Sequence, residues 1–530
     1  MTRCPQYRRI ARSLPALAVA LALAGCGGGG SGGGPPAPPV VPSLAGVRVS
    51  AVSPFAAGCD GAVATGTLYA NAEVEPSVAV NPINPANVVA AWQQDRWSDG
   101  GAHGLVTAAS FDTGRTWELA TPGVSRCAGG SAASGADYER ASDPWVTFAA
   151  DGTAYLLSLS FSGATLAAGS SSAMLVTRST DGGVSWSAPL ALIADGSGFF
   201  NDKGSITADP TDARYVYAVW DRLTSTNTGP TYFARSTDAG VSWAAARSIY
   251  DPGAGNQTIG NILVGLPGGA LLLVFTELDA TATATTGTLK VMRSTDHGDT
   301  WSAPIVVAAE HPAGTRDPAT GAAVRDGSDL PSIAVDHGGT VYVVWQESSF
   351  SGGQHDGVAL SRSLDAGLTW TAPVPVNGSP ASPAFIPSVR VRDDGVIGVT
   401  YYDFRGNTGA PGQLTTDYWL AMSLDASTWT DTHVRGPFSM LDAPVAEGLF
   451  LGDYQALAAS GGEFIPVFVT AIGDPANATD VFVAFGAVQA PAAARIPATV
   501  VDRAAAVVPP APDHGQAASR LPAKGPLSRH

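Results

Sequence analysis

One short pattern constrains this chain more than any other. "RSTDGGVSW" at 178–186 returns as "RSTDAGVSW" from Arg235, "RSTDHGDTW" from Arg293 and "RSLDAGLTW" from Arg362. "SFDTGRTW" from Ser110 is an earlier version, and "SLDASTW" from Ser423 is a damaged one. The tryptophans that close these turns are Trp117, Trp186, Trp243, Trp301, Trp370 and Trp429, spaced by 57 to 69 residues. A recurring unit somewhat longer than 50 residues points to a propeller blade or a similar all-β array.

The sequence between the turns supplies the strands. Each unit opens on a short apolar run, such as "EPSVAV" or "SDPWVTFA", and continues through a second, such as "YVYAVW". A third leads into the turn and a fourth, such as "SAPIVV", leaves it. Short β-branched and aromatic runs between Gly, Pro and Asp are strand signals, and helical periodicity is absent. First strands begin near Glu75, Asp143, Asp202, Thr258, Asp329, Ile386 and Gly452. The seventh unit stops after three strands, at "DVFVAF", while "GVRVSAV" precedes the first. An unpaired last strand leaves a bare edge, so the N-terminal strand is expected to complete the seventh sheet. The expected fold is all-β: a seven-bladed β-propeller of four-stranded antiparallel blades over 46–489, with six blades as the alternative.

In each turn the aspartate can accept hydrogen bonds from nearby backbone N–H groups. Gly183 and its equivalents supply a positive φ, and the tryptophan buries a large ring. Asp112, Asp181, Asp238, Asp296 and Asp365 therefore read as structural. The pattern S-x-D-x-G-x-[ST]-W resembles the Asp-box, or bacterial neuraminidase repeat, of sialidases and sialidase-like propellers. Five good copies and the damaged sixth fall within 75–437. The resemblance implies a fold and does not identify a reaction. It also implies that the boxes lie opposite the active face, which the loops after second strands and between units should form.

The residues on that side are charged. Second strands end in Asp95 and Arg96, Asp221 and Arg222, Glu277, Glu347, and Asp403 and Arg405. First strands open on Asp143, Asp202, Asp329 and Asp453, with Lys203 and Tyr454 beside two of them. Acids at strand entrances also cap backbone N–H groups, and Asp–Arg pairs also staple neighbouring sheets. Sialidases grip a substrate carboxylate with three arginines, whose planar forks match it. The resemblance maps that triad to Arg96, Arg222 and Arg405, with Asp95, Asp221, Asp403 and Asp453 beside the ligand. It maps the tyrosine nucleophile to Tyr454, its partner to Glu277 or Glu447, and the acid/base to Asp143 or Asp202. "EPSVAV" stands where the family carries Arg-Ile-Pro at its first blade.

The ends of the chain describe export. "MTRCPQYRRIARS" is basic and precedes the apolar run "LPALAVALALA". Together they read as a signal peptide over 1–25. "LAGC", ending at Cys26, resembles the bacterial lipobox, which implies lipidation of that sulfur. Residues 26–45 are a Gly/Pro-rich tether, and 490–530 an Ala/Pro-rich tail expected to be disordered. Cys59 and Cys127 remain and suggest a disulfide in an oxidising compartment. No Cys-x-x-Cys or Cys/His cluster suggests zinc.

The chain carries 29 Lys+Arg against 45 Asp+Glu. Loss of Arg3, Arg8, Arg9 and Arg12 with the leader takes the net charge from −16 to −20. That sign argues against nucleic acid and anionic membrane surfaces. Calcium fits the sign, although acidity alone assigns no metal, and no cofactor is implied. The expected protein is a monomer in the cell envelope, at the outer membrane or cell surface, held to the membrane by its lipid alone. It acts on or binds extracellular glycans, by exo-sialidase-type hydrolysis or as a non-catalytic glycan- or protein-binding propeller.

Cys26→Ala should release the protein from membranes, because the acyl chains would be its only attachment. Fractionation of cells expressing the variant checks this; continued sedimentation with membranes rejects the lipid anchor.

Overall fold

The computed structural model describes residues 44–485, apart from 63–65, 227, 282 and 411. The signal peptide 1–25, Cys26, nearly all of the tether 26–45 and the tail 490–530 lie outside the described residues. The described chain is all-β. Three short 3-10 turns, Ala132–Ser134, Ser349–Ser351 and Met440–Asp442, are its helical elements.

Four separate four-stranded sheets span 199–250, 257–310, 332–375 and 384–439. A longer twelve-stranded sheet contains 45–48, 68–120, 140–196 and 456–485. Its parts are joined thinly. One residue pair, Ala102↔Ala141, links 68–120 to 140–196. One parallel pair, Ala72↔Thr479, links 68–120 to 456–485. The N-terminal strand Ala45–Arg48 lies antiparallel on Asn477–Phe485, where it covers the last strand's edge. A single apolar cluster contains Val88 and Trp92 from the first unit, Tyr402 and Tyr418 from the sixth, and Phe464 and Phe468 from the seventh.

The repeated turns are built as networks. In the first, Asp112 Oδ1 accepts from the backbone N–H groups of Arg115 and Thr116, at 2.9 and 2.8 Å. Ser110 Oγ donates to the same oxygen and accepts from Gly114 N, both at 2.8 Å. Burial, the largest single influence on Asp112 and Asp181, acts the other way, but these bonds favour the charged carboxylate and together outweigh it. They hold Asp112, Asp181, Asp238, Asp296 and Asp365 at about 2. The damaged sixth turn keeps the device: Asp425 accepts from Ser427 N and Thr428 N, each at 2.8 Å.

Each turn also contacts the preceding unit. A Cβ on Gly183 would lie 2.4 Å from Val89, and one on Gly240 would lie 2.5 Å from Tyr155. Their φ angles, +95° and +76°, are left-handed as well. The residue before the box glycine offers its carbonyl to that neighbour. Arg178 Nη1 reaches Ala239 O at 3.2 Å and Arg235 Nη1 reaches His297 O at 2.7 Å; at the sixth turn, which has no glycine, Arg362 Nη1 reaches the box aspartate's own carbonyl, Asp425 O, at 3.1 Å. These three arginines therefore bond the next turn along the chain. Trp186 likewise donates to Thr107 Oγ1 in the preceding unit, at 2.9 Å.

Gly183→Ala forces a methyl into Val89 at a left-handed position. It should cost about 2–4 kcal/mol, from overpacking and from the left-handed backbone. Gly135 is also left-handed, at φ +72°, but a Cβ there meets nothing within 4 Å. Gly135→Ala should cost only about 1–2 kcal/mol. Denaturant unfolding of both variants checks the difference; equal losses would remove the inter-sheet contact from the explanation.

Candidate functional site

The first strands of five units each carry a bulge. Register shifts fall between Val74 and Ser77, Ser142 and Trp145, Asp202 and Ser205, Ile259 and Ile262, and Phe385 and Ser388. Within each shift one residue has positive φ: Glu75, Asp143, Lys203, Gly260 and Ile386. Proline follows three of them, at Pro76, Pro144 and Pro387. Proline lacks the N–H that a ladder needs, so it belongs at bulges. A bulge re-aims its side chain, and left-handed backbone at non-glycine residues concentrates at functional sites.

Three of these residues are charged, and they meet. Lys203 Nζ lies 3.0 Å from Asp143 Oδ1, 3.4 Å from Glu75 Oε1 and 2.7 Å from Asp453 Oδ2. Arg325 grips Asp453 with two nitrogens, at 2.8 and 2.5 Å. It reaches the cluster because Val324–Arg325 pairs in parallel with Leu449–Phe450. Phe450 has two cations over its ring, with the guanidinium carbons of Arg96 and Arg325 at 4.8 and 4.6 Å from its centroid. Arg96 Nη1 donates to Gln93 Oε1 at 2.7 Å, and Gln93 donates to Glu75. Tyr454 packs beside Trp145 with ring centroids 5.9 Å apart, and Lys203 Nζ lies 5.6 Å from the Tyr454 ring. The Tyr454 hydroxyl oxygen is buried without a hydrogen-bond partner among the described residues.

Burial and charge push these groups apart. Burial, with Asp143 and Asp453 nearby, raises Glu75 to about 7 against the pull of Lys203. Burial and Asp143 raise Asp202 to about 6. Burial would also raise Asp453, but Arg325 and Lys203 outweigh it and hold that carboxyl well below its usual range. Burial tends to strip the proton from Lys203, yet the surrounding acids hold the ammonium well above its usual value. Burial and the same acids push the Tyr454 phenol well up.

The structure thus brings together Asp143, Asp202, Asp453, Lys203, Tyr454 and Arg96. Asp221 is buried against Asp202 and raised by burial first. The other expected residues are placed elsewhere. Arg222 makes a two-nitrogen grip on Asp195, at 2.8 and 2.6 Å, with its guanidinium carbon 3.4 Å from the Phe199 ring centroid. Arg405 pairs with Asp403 and with Asp431, the latter at 2.8 Å. Neither shares a bonding partner with Arg96: Arg222 is neutralised by Asp195, from the last strand of the preceding unit, and Arg405 by carboxylates of its own sheet. Glu277 pairs with Lys290 at 2.6 Å and accepts from the Tyr250 hydroxyl, which corrects its expected pairing with Tyr454. Asp95 accepts from Asn71 N at 2.8 Å and Ser53 Oγ at 2.7 Å, a structural role. Asp403 also accepts from Trp419 Nε1 at 3.0 Å. Glu447 lies near enough to Arg325 to act on its charge.

Two members, Glu75 and Arg325, are not among the residues expected from sequence. Aligning "EPSV" with "DPWV", "KGSI" and "IPSV" puts Glu75, Asp143, Lys203 and Ile386 in one position. That position is the bulge, and the alignment was sufficient to find Glu75. Arg325 has no comparable signal, because its place depends on a two-residue pairing with a distant segment.

Cys59 and Cys127 are joined as a disulfide with Cα atoms 4.9 Å apart. A surface hollow of about 240 Å3, lined by Tyr155, Arg178, Leu190 and Gly240 among others, belongs to the box-turn side and includes none of the charged cluster.

Lys203→Met leaves the surrounding carboxylates without their ammonium. It should cost about 3–5 kcal/mol near pH 8. The loss should shrink toward pH 5, because Glu75 and Asp202 are raised and take up protons as pH falls. Arg222→Ala should lower the melting temperature without altering the cluster. Unfolding at the two pH values checks the first expectation and thermal melting the second; a pH-independent Lys203→Met loss contradicts the charge argument.

No known protein-family profile matches the chain. No curated protein matches it either. Solved structures do. A protein of unknown function from Dyadobacter fermentans is 15% identical, with TM-score 0.46, covering 84% of this chain and 99% of its own. A Hadza microbial sialidase is 14% identical, with TM-score 0.44, covering 73% and 75%. An α-L-arabinofuranosidase from Fusarium graminearum is 10% identical, with TM-score 0.42, covering 84% and 98%.

Proposed function

We propose that this chain is an exported, lipid-anchored glycoside hydrolase acting on uncharged sugars. Its globular part, 46–489, would be a closed propeller of seven four-stranded blades, with the Lys203 cluster at the centre of one face. The observation that carries the reading is the split in protonation around one ammonium. Asp202 and Glu75 are raised toward neutrality while Asp453 is held ionised. Paired groups with separated pKa values are what acid/base chemistry on a glycosidic bond requires.

Roles follow from exposure and contact. Asp202 is half-buried and raised to about 6, which suits proton donation to a leaving oxygen. The unpartnered Tyr454 hydroxyl suits the nucleophile, and Glu75, raised to about 7, suits the base that takes its proton. Trp145, half-buried beside Tyr454, offers an apolar face to a sugar ring. Arg222 is committed to Asp195 of the preceding unit, Arg405 to a carboxylate of its own sheet, and Arg325 to Asp453. That leaves acids in excess at the cluster, which disfavours a sugar carrying its own carboxylate.

A second reading has a specific observation behind it. The charges of the cluster already satisfy one another, as they would in a non-catalytic glycan-binding propeller. Aryl glycosides of neutral and of sialylated sugars separate the two. Release from neutral substrates should peak between about pH 6 and 7 and fall on either side, because Asp202 must hold its proton while Glu75 must have lost its own. Asp202→Asn should lower turnover about 10²–10⁴-fold, and Tyr454→Phe should abolish it, with the melting temperature kept in both. Preferential release of sialic acid would overturn the substrate class. Glycan binding without any release would leave the binding module.

A further inference from the structure

The disulfide does not stand alone. The sulfurs of Cys59 and Cys127 and a ring nitrogen of His103 lie within 4.8 Å of one another. His103 is buried between the T-shaped rings of Phe55 and Trp97, with centroids at 6.5 and 6.0 Å. Its Nδ1 faces Asp95 Oδ2 at 3.0 Å. Asp95 is fixed in turn by Ser53 Oγ and Asn71 N, which donate to it. A hydrogen bond from Nδ1 to that carboxylate places the ring proton there and leaves the Nε2 lone pair free. Nε2 is buried without a hydrogen-bond partner, and so is Asp60 Oδ2, 3.6 Å away. Two unpartnered buried atoms beside a cysteine pair call for a third party.

We propose that the reduced form of this cysteine pair is a zinc site, with Cys59, Cys127 and His103 Nε2 as ligands and Asp60 as the fourth. Two sulfurs, one imidazole nitrogen and one carboxylate oxygen suit tetrahedral Zn2+. The Asp95–His103 contact is the outer partner that orients a metal-bound imidazole. The phenylalanine and tryptophan rings give the site its apolar wall. Both cysteines are half-buried, so a reductant can approach them.

The chemistry balances with a dithiol as electron donor. Its two thiols reduce the Cys59–Cys127 bond through a mixed disulfide, giving two cysteine thiols and one oxidised dithiol. Zinc then binds both sulfurs as thiolates and releases two protons. One locus is thus closed by a disulfide when oxidised and by a metal when reduced. In both states residues 59–60 stay fastened to Cys127 beside the first unit's third strand, Ala102–Ser110.

Cobalt is the probe, because thiolate ligation gives it a charge-transfer absorption. The folded protein, reduced with a phosphine that leaves no competing thiol, should bind one Co2+ with that band. The oxidised protein should show none. His103→Gln should weaken cobalt binding at least tenfold, and Asp95→Asn about 10–100-fold. Zinc should raise the melting temperature of the reduced wild type and leave that of reduced His103→Gln unchanged. No band from the reduced wild type overturns the proposal, as does undiminished binding by His103→Gln. Unfolding on reduction that zinc fails to reverse overturns it too.

Discussion

The structure depends on a contact between neighbours: the box turn of one unit seated on the sheet before it. A sheet of four strands has two faces and cannot bury both alone. The turn between its third and fourth strands carries a left-handed glycine, and the absent Cβ is what lets it meet Val89, Tyr155 or their equivalents. The arginine of the preceding box bonds the carbonyl beside that glycine. One nine-residue pattern therefore contains both a surface that docks backwards and a donor that reaches forwards. Repeating it makes each sheet the template for the next, and this is why the pattern recurs while the strands around it drift.

That fastening accounts for a feature the strands alone would not tolerate. Five first strands are bulged, and four of the five bulged residues are not glycine although their φ is positive. Such conformations persist only where the surroundings over-determine them. Here the rest of each strand is held in register by its sheet, so the bulge can turn its side chain away from the pleat. The gain is electrostatic. Lys203, Glu75 and Asp143 come from three different units, and only their bulges allow one ammonium to serve three carboxylates. The ammonium in turn is what permits so many acids to be buried together.

Much of this was legible in the sequence. Period, strand alternation and turn chemistry are local properties, and they indicated an all-β array whose N-terminal strand, Ala45–Arg48, covers the final unit. The acids opening the first strands were legible too, because Asp143, Asp202 and Asp453 do meet Lys203 or its neighbours. The arginines were not. "WDR" and "YYDFR" look alike as ligand-binding forks and as staples, and the choice rests on Asp195 and Asp431, carboxylates that arrive from fourth-strand segments. Arg325 and His103 were invisible for the same reason. Each gains its role from partners brought by non-local pairing, which periodicity does not encode.

The two systems, fastening and site, draw on separate residues. The boxes use the third and fourth strands and the turn between them; the cluster uses first-strand bulges and the paired segments 324–325 and 449–450. Equivalent bulges in the fourth and sixth units carry Gly260 and Ile386, which bring no charge. The charged site is accordingly lopsided, drawn from the first three units, the seventh and the segment 324–325 that precedes the fifth sheet. A symmetric scaffold needs every copy of its fastener, whereas a site needs a different side chain at each position. Holding the first in the turns and the second in the bulges lets one change without the other.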